Sequence, residues 1–313
     1  MKKSVLLFLI VFVGTIFSQT SLGKLEKVFS DGFFTEGPVS TDDGKIFFTD
    51  LTFTSETDLQ AGNIWLYDAN TDKTTLYRSP SGMANGLEIY KGKLYACEAA
   101  DYGGRRITET DIATGRAKIY AAYYNEKHFN SPNDLIFDSK GNLYFTDPRY
   151  SGHEPIEQPV NGVYKVTPDK KIELLTGMIS MPNGIGLSPD EKILYVVCND
   201  ETDPATNTSE NLKGNFIAKF LLHENQPIEY LGLLVSFKYP TGPDGILVDR
   251  EGNIWAAIRE EAAPYIGKYD SEGKELMRIP LPEVPSNLCF GKGKFSNYLF
   301  ITAGGSLYKY NLN

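Results

Sequence analysis

Pro132-Asn133-Asp134-Leu135, followed by Asn142-Leu143-Tyr144-Phe145-Thr146-Asp147, decides how this chain folds, because the same arrangement recurs along its length. The short polar segment returns as Thr35-Glu36-Gly37-Pro38, Ala84-Asn85-Gly86-Leu87, Pro182-Asn183-Gly184-Ile185, Pro243-Asp244-Gly245-Ile246 and Ser286-Asn287-Leu288. The key residues Glu36, Asn85, Asn133, Asn183, Asp244 and Asn287 are spaced by 49, 48, 50, 61 and 43 positions. A strand-like run follows each segment, for example Lys45-Ile46-Phe47-Phe48-Thr49-Asp50 and Asn253-Ile254-Trp255-Ala256-Ala257-Ile258. Gly44, Gly92, Gly141 and Gly252 open four of these runs, where hairpin turns require them.

A unit of about 50 residues holding several short strands has the size of a propeller blade. The sequence therefore predicts an all-β fold, a six-bladed β-propeller with a central metal site. Outer strands are expected at 63–67, 73–77, 162–166 and 172–175. No sustained 3.6-residue apolar period argues for long helices. Ser306-Leu307-Tyr308-Lys309-Tyr310 and Leu25-Glu26-Lys27-Val28-Phe29 read as strands from the two termini that complete one blade and remove an exposed edge.

Composition agrees. The 313 residues contain 29 Gly and 17 Pro, and 12% are aromatic, which suits many strands joined by tight turns and excludes a disordered chain. The net charge of −9, with no basic stripe, argues against nucleic acid as a partner and leaves a small molecule. Lys2 and Lys3, the apolar run from Val5 to Phe17 and the small residue Ser18 have the build of an export signal. Residues 1–18 are thus expected to be removed. The mature chain, residues 19–313, would be periplasmic or secreted, with no stable membrane span. Cys97, Cys198 and Cys289 lie in or beside apolar strands and are expected to be buried free thiols, with one disulfide the alternative.

Equivalent inner-strand positions of a propeller face its axis, so the six key residues form a ring of two carboxylates and four amides. Such a set offers oxygens and no thiol or imidazole, which suits a hard divalent cation, Ca²⁺ first, with Mg²⁺, Mn²⁺ or Zn²⁺ as alternatives. Asp244, able to touch both the ion and a water, is the expected general base; Asp134 is the second choice. Asn85, Asn133 and Arg149 are the candidate substrate contacts. Ser131 has no adjacent His to activate it as a nucleophile. His128, His153 and His223 read as surface residues, and Tyr123, Tyr124 and Phe129 as either pocket wall or blade core.

These motifs, with Asn130-Ser131-Pro132-Asn133-Asp134, Tyr144-Phe145-Thr146-Asp147-Pro148, Ser188-Pro189-Asp190-Glu191 and Leu288-Cys289-Phe290-Gly291, resemble the senescence marker protein, gluconolactonase and luciferin-regenerating-enzyme family, and its bacterial gluconolactonase branch in particular. The resemblance implies an axial Ca²⁺ held by Glu36, Asn133, Asn183 and Asp244, and hydrolysis of a sugar lactone. Some members carry Arg two positions before the third-blade Asn; here Ser131 stands there, and the nearest basic residues in sequence are Lys127 and Arg149. Relatives with the same ring, including diisopropyl fluorophosphatase, act on phosphoester-type bonds, so a phosphotriesterase or esterase is one alternative. A non-enzymatic ligand-binding propeller is the other. The polar stretch from Asp200 to Leu212 is a candidate mouth loop.

Overall fold

The computed structural model describes residues 23–59, 61–200, 211–224, 226–238 and 240–313. The expected export signal lies outside the described residues, as does most of the Asp200–Leu212 stretch.

The aromatic runs form the second strand of each blade, and burial on both faces explains their composition. In Lys45–Asp50, Ile46 and Phe48 pack toward the last blade, against Cys289, Phe300 and Leu307. Phe47, on the other face, packs toward the second blade with Ala84, Leu87, Leu94 and Ala96. Alternate side chains of one strand thus fill two different inter-blade cores. Trp255, Tyr95, Tyr144 and Tyr195 occupy the corresponding seams around the ring.

Six four-stranded antiparallel sheets result, five of them running outward in chain order from an inner strand. The inner strands are Thr35–Ser40, Ala84–Tyr90, Leu135–Phe137, Pro182–Leu187, Gly242–Val248 and Pro285–Phe290. Each meets the inner strands of its neighbours, which places them around the axis. The sixth sheet is closed by Leu25–Phe29, antiparallel to Ser306–Asn311 with Leu25 opposite Tyr310 and Lys27 opposite Tyr308. The expected outer strands appear, three of them one residue longer than read from sequence and one, Gly162–Val166, as read. Helix is confined, among the described residues, to Thr54–Thr57 and the short 3₁₀ turn Gly293–Phe295. None of it is long and apolar enough to cross a membrane. An extra two-stranded ribbon, Tyr123–Tyr124 with Lys127–His128, precedes the third blade and was not legible in the sequence.

The register breaks at the key position in five inner strands, between Glu36 and Val39, Ala84 and Leu87, Pro182 and Ile185, Pro243 and Ile246, and Pro285 and Asn287. Such bulges re-aim side chains. The glycine that follows the key residue lets neighbouring strands approach: a Cβ at Gly86 would sit 2.7 Å from the Asn133 carbonyl oxygen, and one at Gly245 2.2 Å from Asn287 Cγ. The three cysteines are buried and free, so the disulfide alternative falls.

Candidate metal and active site

Because Thr35 pairs with Asp50, the key residues lie at the same end of the ring as the ends of the second strands and the loops that follow them. Those loops are tied into a belt. Ser55 N–H donates to Asp101 Oδ2 at 3.1 Å, and the Asp101 and Tyr102 N–H groups donate to Glu154 at 3.2 and 2.7 Å. Arg149 Nη1 donates to the same carboxylate at 3.1 Å. The Arg149 side chain, a candidate substrate contact, is only 7% exposed and packs inside this belt, with Nε and Nη2 buried and without a hydrogen-bond partner. The Ser131 hydroxyl accepts the Ala100 N–H at 2.9 Å and is likewise committed to the belt. Phe129 is blade core, stacked edge-on against Phe145 and Tyr164, and Tyr124 packs on Tyr164. Tyr123 is exposed. His128 pairs with Glu157 at 2.9 Å, and His153 is exposed.

All six key side chains are buried to 92% or more. Glu36 accepts the Gly37 N–H at 2.8 Å. Its carboxyl is pushed well above the usual carboxylate range, first by burial and then by repulsion from Asp244 and Asp134. Asp244 is raised by burial, against the opposing pull of Arg259, whose Nη1 lies 2.8 Å from Asp244 Oδ2. Two carboxyls that hinder each other's ionisation in a dry setting are a site in want of positive charge.

The amides divide into two kinds. Asn183 donates through Nδ2 to the Tyr150 hydroxyl at 3.1 Å, and its Oδ1 accepts no hydrogen bond among the described residues. The Tyr150 hydroxyl lies 3.2 Å from the Asn199 carbonyl and 3.4 Å from that of Met181. Asn287 is the reverse case. Its Oδ1 accepts the Leu288 N–H at 2.8 Å, which turns its Nδ2 toward the carboxyls of Glu36 and Asp134. Asn287 thus keeps its oxygen on the backbone rather than on the axis. The side chains of Asn85 and Asn133 make no hydrogen bond among the described residues.

The donor set therefore fits a hard divalent cation: Glu36, Asp244 and Asn183 Oδ1, with Asn133 in reach of the same ring. Among the described residues no three His, Cys, Asp or Glu side chains form a group that could hold a metal ion, so a cation here would rest on two carboxylates and amide oxygens. Asp134 stands apart from this set. It accepts its neighbour Leu135's N–H at 2.9 Å and lines a cavity of about 240 Å³ at the opposite end of the axis, with Glu88 and Lys292. Its pKa is pushed up to about 7 by burial.

A sequence profile described as the SMP-30/gluconolactonase/LRE-like region matches residues 34–305. The chain belongs to that family. It is 31% identical to a gluconolactonase of Zymomonas mobilis subsp. mobilis over 309 aligned residues, covering 89% of this chain and 78% of the relative. It is 28% identical to lactonase drp35 of Staphylococcus haemolyticus, covering 82% and 72%. A gluconolactonase structure from Xanthomonas campestris superposes with a TM-score of 0.77 at 26% identity, covering 93% of this chain and 90% of the other. Sequence reasoning missed Tyr150 and Arg259 at this site. Tyr150 sits in a loop without a repeated motif, and Arg259 ends a strand whose counterparts in the first three blades carry acids, Asp50, Glu98 and Asp147.

Proposed function

We propose that this family member is a lactonase, hydrolysing a sugar lactone of the gluconolactone type at the ring mouth. The observation that carries the reading is the buried pair Glu36 and Asp244 beside the freed oxygen of Asn183, in a chain similar to a gluconolactonase along nine-tenths of its length. Glu36, Asn133, Asn183 and Asp244 would hold a divalent cation, Ca²⁺ by the hardness of its donors. When bound, that ion supplies Lewis-acid polarisation of the ester carbonyl.

The chain's own residues do the rest. Asn85 and Asn133, whose amides have no partner among the described residues, orient the lactone hydroxyls. Asp244 keeps Oδ2 on Arg259 and accepts the proton of the attacking water through its other oxygen. The belt of loops around Glu154 fixes the walls of the mouth. We also propose export, from the leader-like residues 1–18, which cell fractionation tests directly.

Asp244→Asn is expected to remove lactone hydrolysis, measured by pH-stat, while leaving the far-UV circular dichroism unchanged. Near-normal turnover in that variant sinks the assignment. Treatment with a chelator is expected to abolish turnover and added Ca²⁺ to restore it; turnover that survives metal removal refutes the cation's role.

A further inference from the structure

The last residue of the second strand has a structural task in two blades. Asp50 accepts the N–H groups of Phe33 and Phe34 at 2.7 and 3.1 Å, and Asp147 those of Asn130 and Ser131 at 2.8 and 2.7 Å. Each acid thereby ties down the chain entering an inner strand. In the fifth blade that position is Arg259, opposite Gly242 in the register, and a guanidinium cannot accept such bonds. It turns to the axis instead. Nη1 meets Asp244 at 2.8 Å and the group lies over the Phe34 ring, 5.5 Å from its centroid. One third of the side chain is exposed, and its remaining N–H groups have no hydrogen-bond partner among the described residues. The other arginines near this mouth are packed inside the belt, Arg149 bonding Glu154 and Arg105 the Phe129 carbonyl and Glu157; Arg149 Nε and Nη2 and Arg105 Nη2 have no partner but are buried away from the opening.

We propose that Arg259 is the anion-holding group of the site, receiving the negative charge that forms on the substrate's carbonyl oxygen and then the carboxylate of the product. This rests on the lactone-hydrolysis reading above. Addition of water forms a C–O bond and drives the carbonyl electron pair onto oxygen. Collapse breaks the bond to the ring oxygen, which leaves as an alcohol carrying a proton, and a carboxylate and a free proton remain. Charge thus appears only after attack begins, and a donor placed for it acts on the transition state more than on the substrate. Glu36 and Asp244 would balance a divalent cation, and Arg259, charged at every working pH, brings positive charge to the mouth in excess of that pair. A neutral lactone does not use that excess, whereas the oxyanion and the planar product carboxylate do, the latter through a two-pronged guanidinium contact.

The test uses the full chain and its Arg259→Gln and Arg259→Lys variants, metal-free for the Ca²⁺ titration and Ca²⁺-loaded for the other readings. Three quantities are read: kcat and KM on gluconolactone, gluconate affinity by calorimetry, and Ca²⁺ affinity by calorimetry. Arg259→Gln is expected to lower kcat about 100-fold with KM changed less than about 3-fold, and to weaken gluconate at least about tenfold, without loss of Ca²⁺ affinity. Arg259→Lys, keeping the charge without the fork, is expected to retain part of the gluconate affinity, which separates loss of the anion contact from loss of folding. Unchanged gluconate binding, or a kcat loss that disappears at higher Ca²⁺, overturns the proposal and reduces Arg259 to a support for Asp244. If the wild-type chain hydrolyses no lactone, the functional reading fails, and the gluconate titration still decides whether Arg259 holds a carboxylate.

Discussion

At the scale of the residue, the site depends on which way its amides face. An asparagine offers an oxygen on one side and an NH₂ on the other, and only the oxygen can bind a cation. Asn183 and Asn287 occupy equivalent ring positions, yet their neighbours turn them oppositely. The Tyr150 hydroxyl takes the Nδ2 of Asn183, whereas the Leu288 N–H takes the Oδ1 of Asn287. Tyr150 is therefore a positioning residue for a candidate metal ligand. Removing such a support typically costs a metal site one to two orders of magnitude in affinity. Tyr150→Phe, which keeps the ring and deletes only the hydroxyl, is expected to weaken Ca²⁺ binding about tenfold in calorimetry, with turnover at saturating Ca²⁺ recovering most of its value. Equal affinity in variant and wild type would mean that Asn183 keeps its orientation without the Tyr150 hydroxyl.

At the scale of the element, side-chain hydroxyls fasten carbonyls at or beside the key positions across the seams between blades. Thr49 of the first blade donates to the Asn85 carbonyl at 2.8 Å, and Thr146 of the third to that of Asn183 at 2.7 Å. Ser286 of the last blade donates to the Thr35 carbonyl at 2.6 Å. Thr146 also accepts the Asp134 N–H at 3.1 Å. These residues are buried, so Thr146→Val, near-isosteric, leaves polar groups of two neighbouring blades without partners. The expected loss is about 1–3 kcal/mol in denaturant unfolding; a change under about 0.5 kcal/mol would show that the seam is held by its apolar core alone. The contrast with the sequence reading lies here. Six blades were legible because each strong strand is buried on both faces and each inner strand must admit a glycine or a small turn at one phase. Glu36, Asn183 and Asp244 were legible because they sit at that phase. Asn287 sits there too, but its amide is turned by a backbone contact that leaves no trace in composition. Arg259 and Tyr150 were invisible because strand ends and connecting loops carry no period, and what they do is defined by the neighbour they meet in space.

At the scale of the whole molecule, closing a ring brings carboxyl groups from separate blades onto one axis, where each is dehydrated by the fold. Away from the candidate metal ligands, Glu88 at the far cavity and the wholly buried Asp147 are both pushed up to about 7, in each case chiefly by burial. Lys292 opposes the shift at Glu88 and Asp134 adds to it, whereas backbone N–H groups, Arg105 and Arg149 oppose it at Asp147. The consequence for stability follows from the sign. A carboxyl whose folded pKa lies above its unfolded value, near 4, binds its proton more tightly in the folded state. Its contribution is fully present below that unfolded value and is lost as pH rises through about 7. The metal-free chain should therefore melt at progressively lower temperature as pH is raised from 5 to 8. Glu88→Gln removes one of these protons without removing the side chain's bulk. Measured by calorimetry in chelator, the variant should match the wild type near pH 5, melt above it at pH 8, and show a shallower slope between. A variant curve running parallel to the wild type across that range would mean that Glu88 ionises without cost, its charge carried by Lys292 and the water of the far mouth.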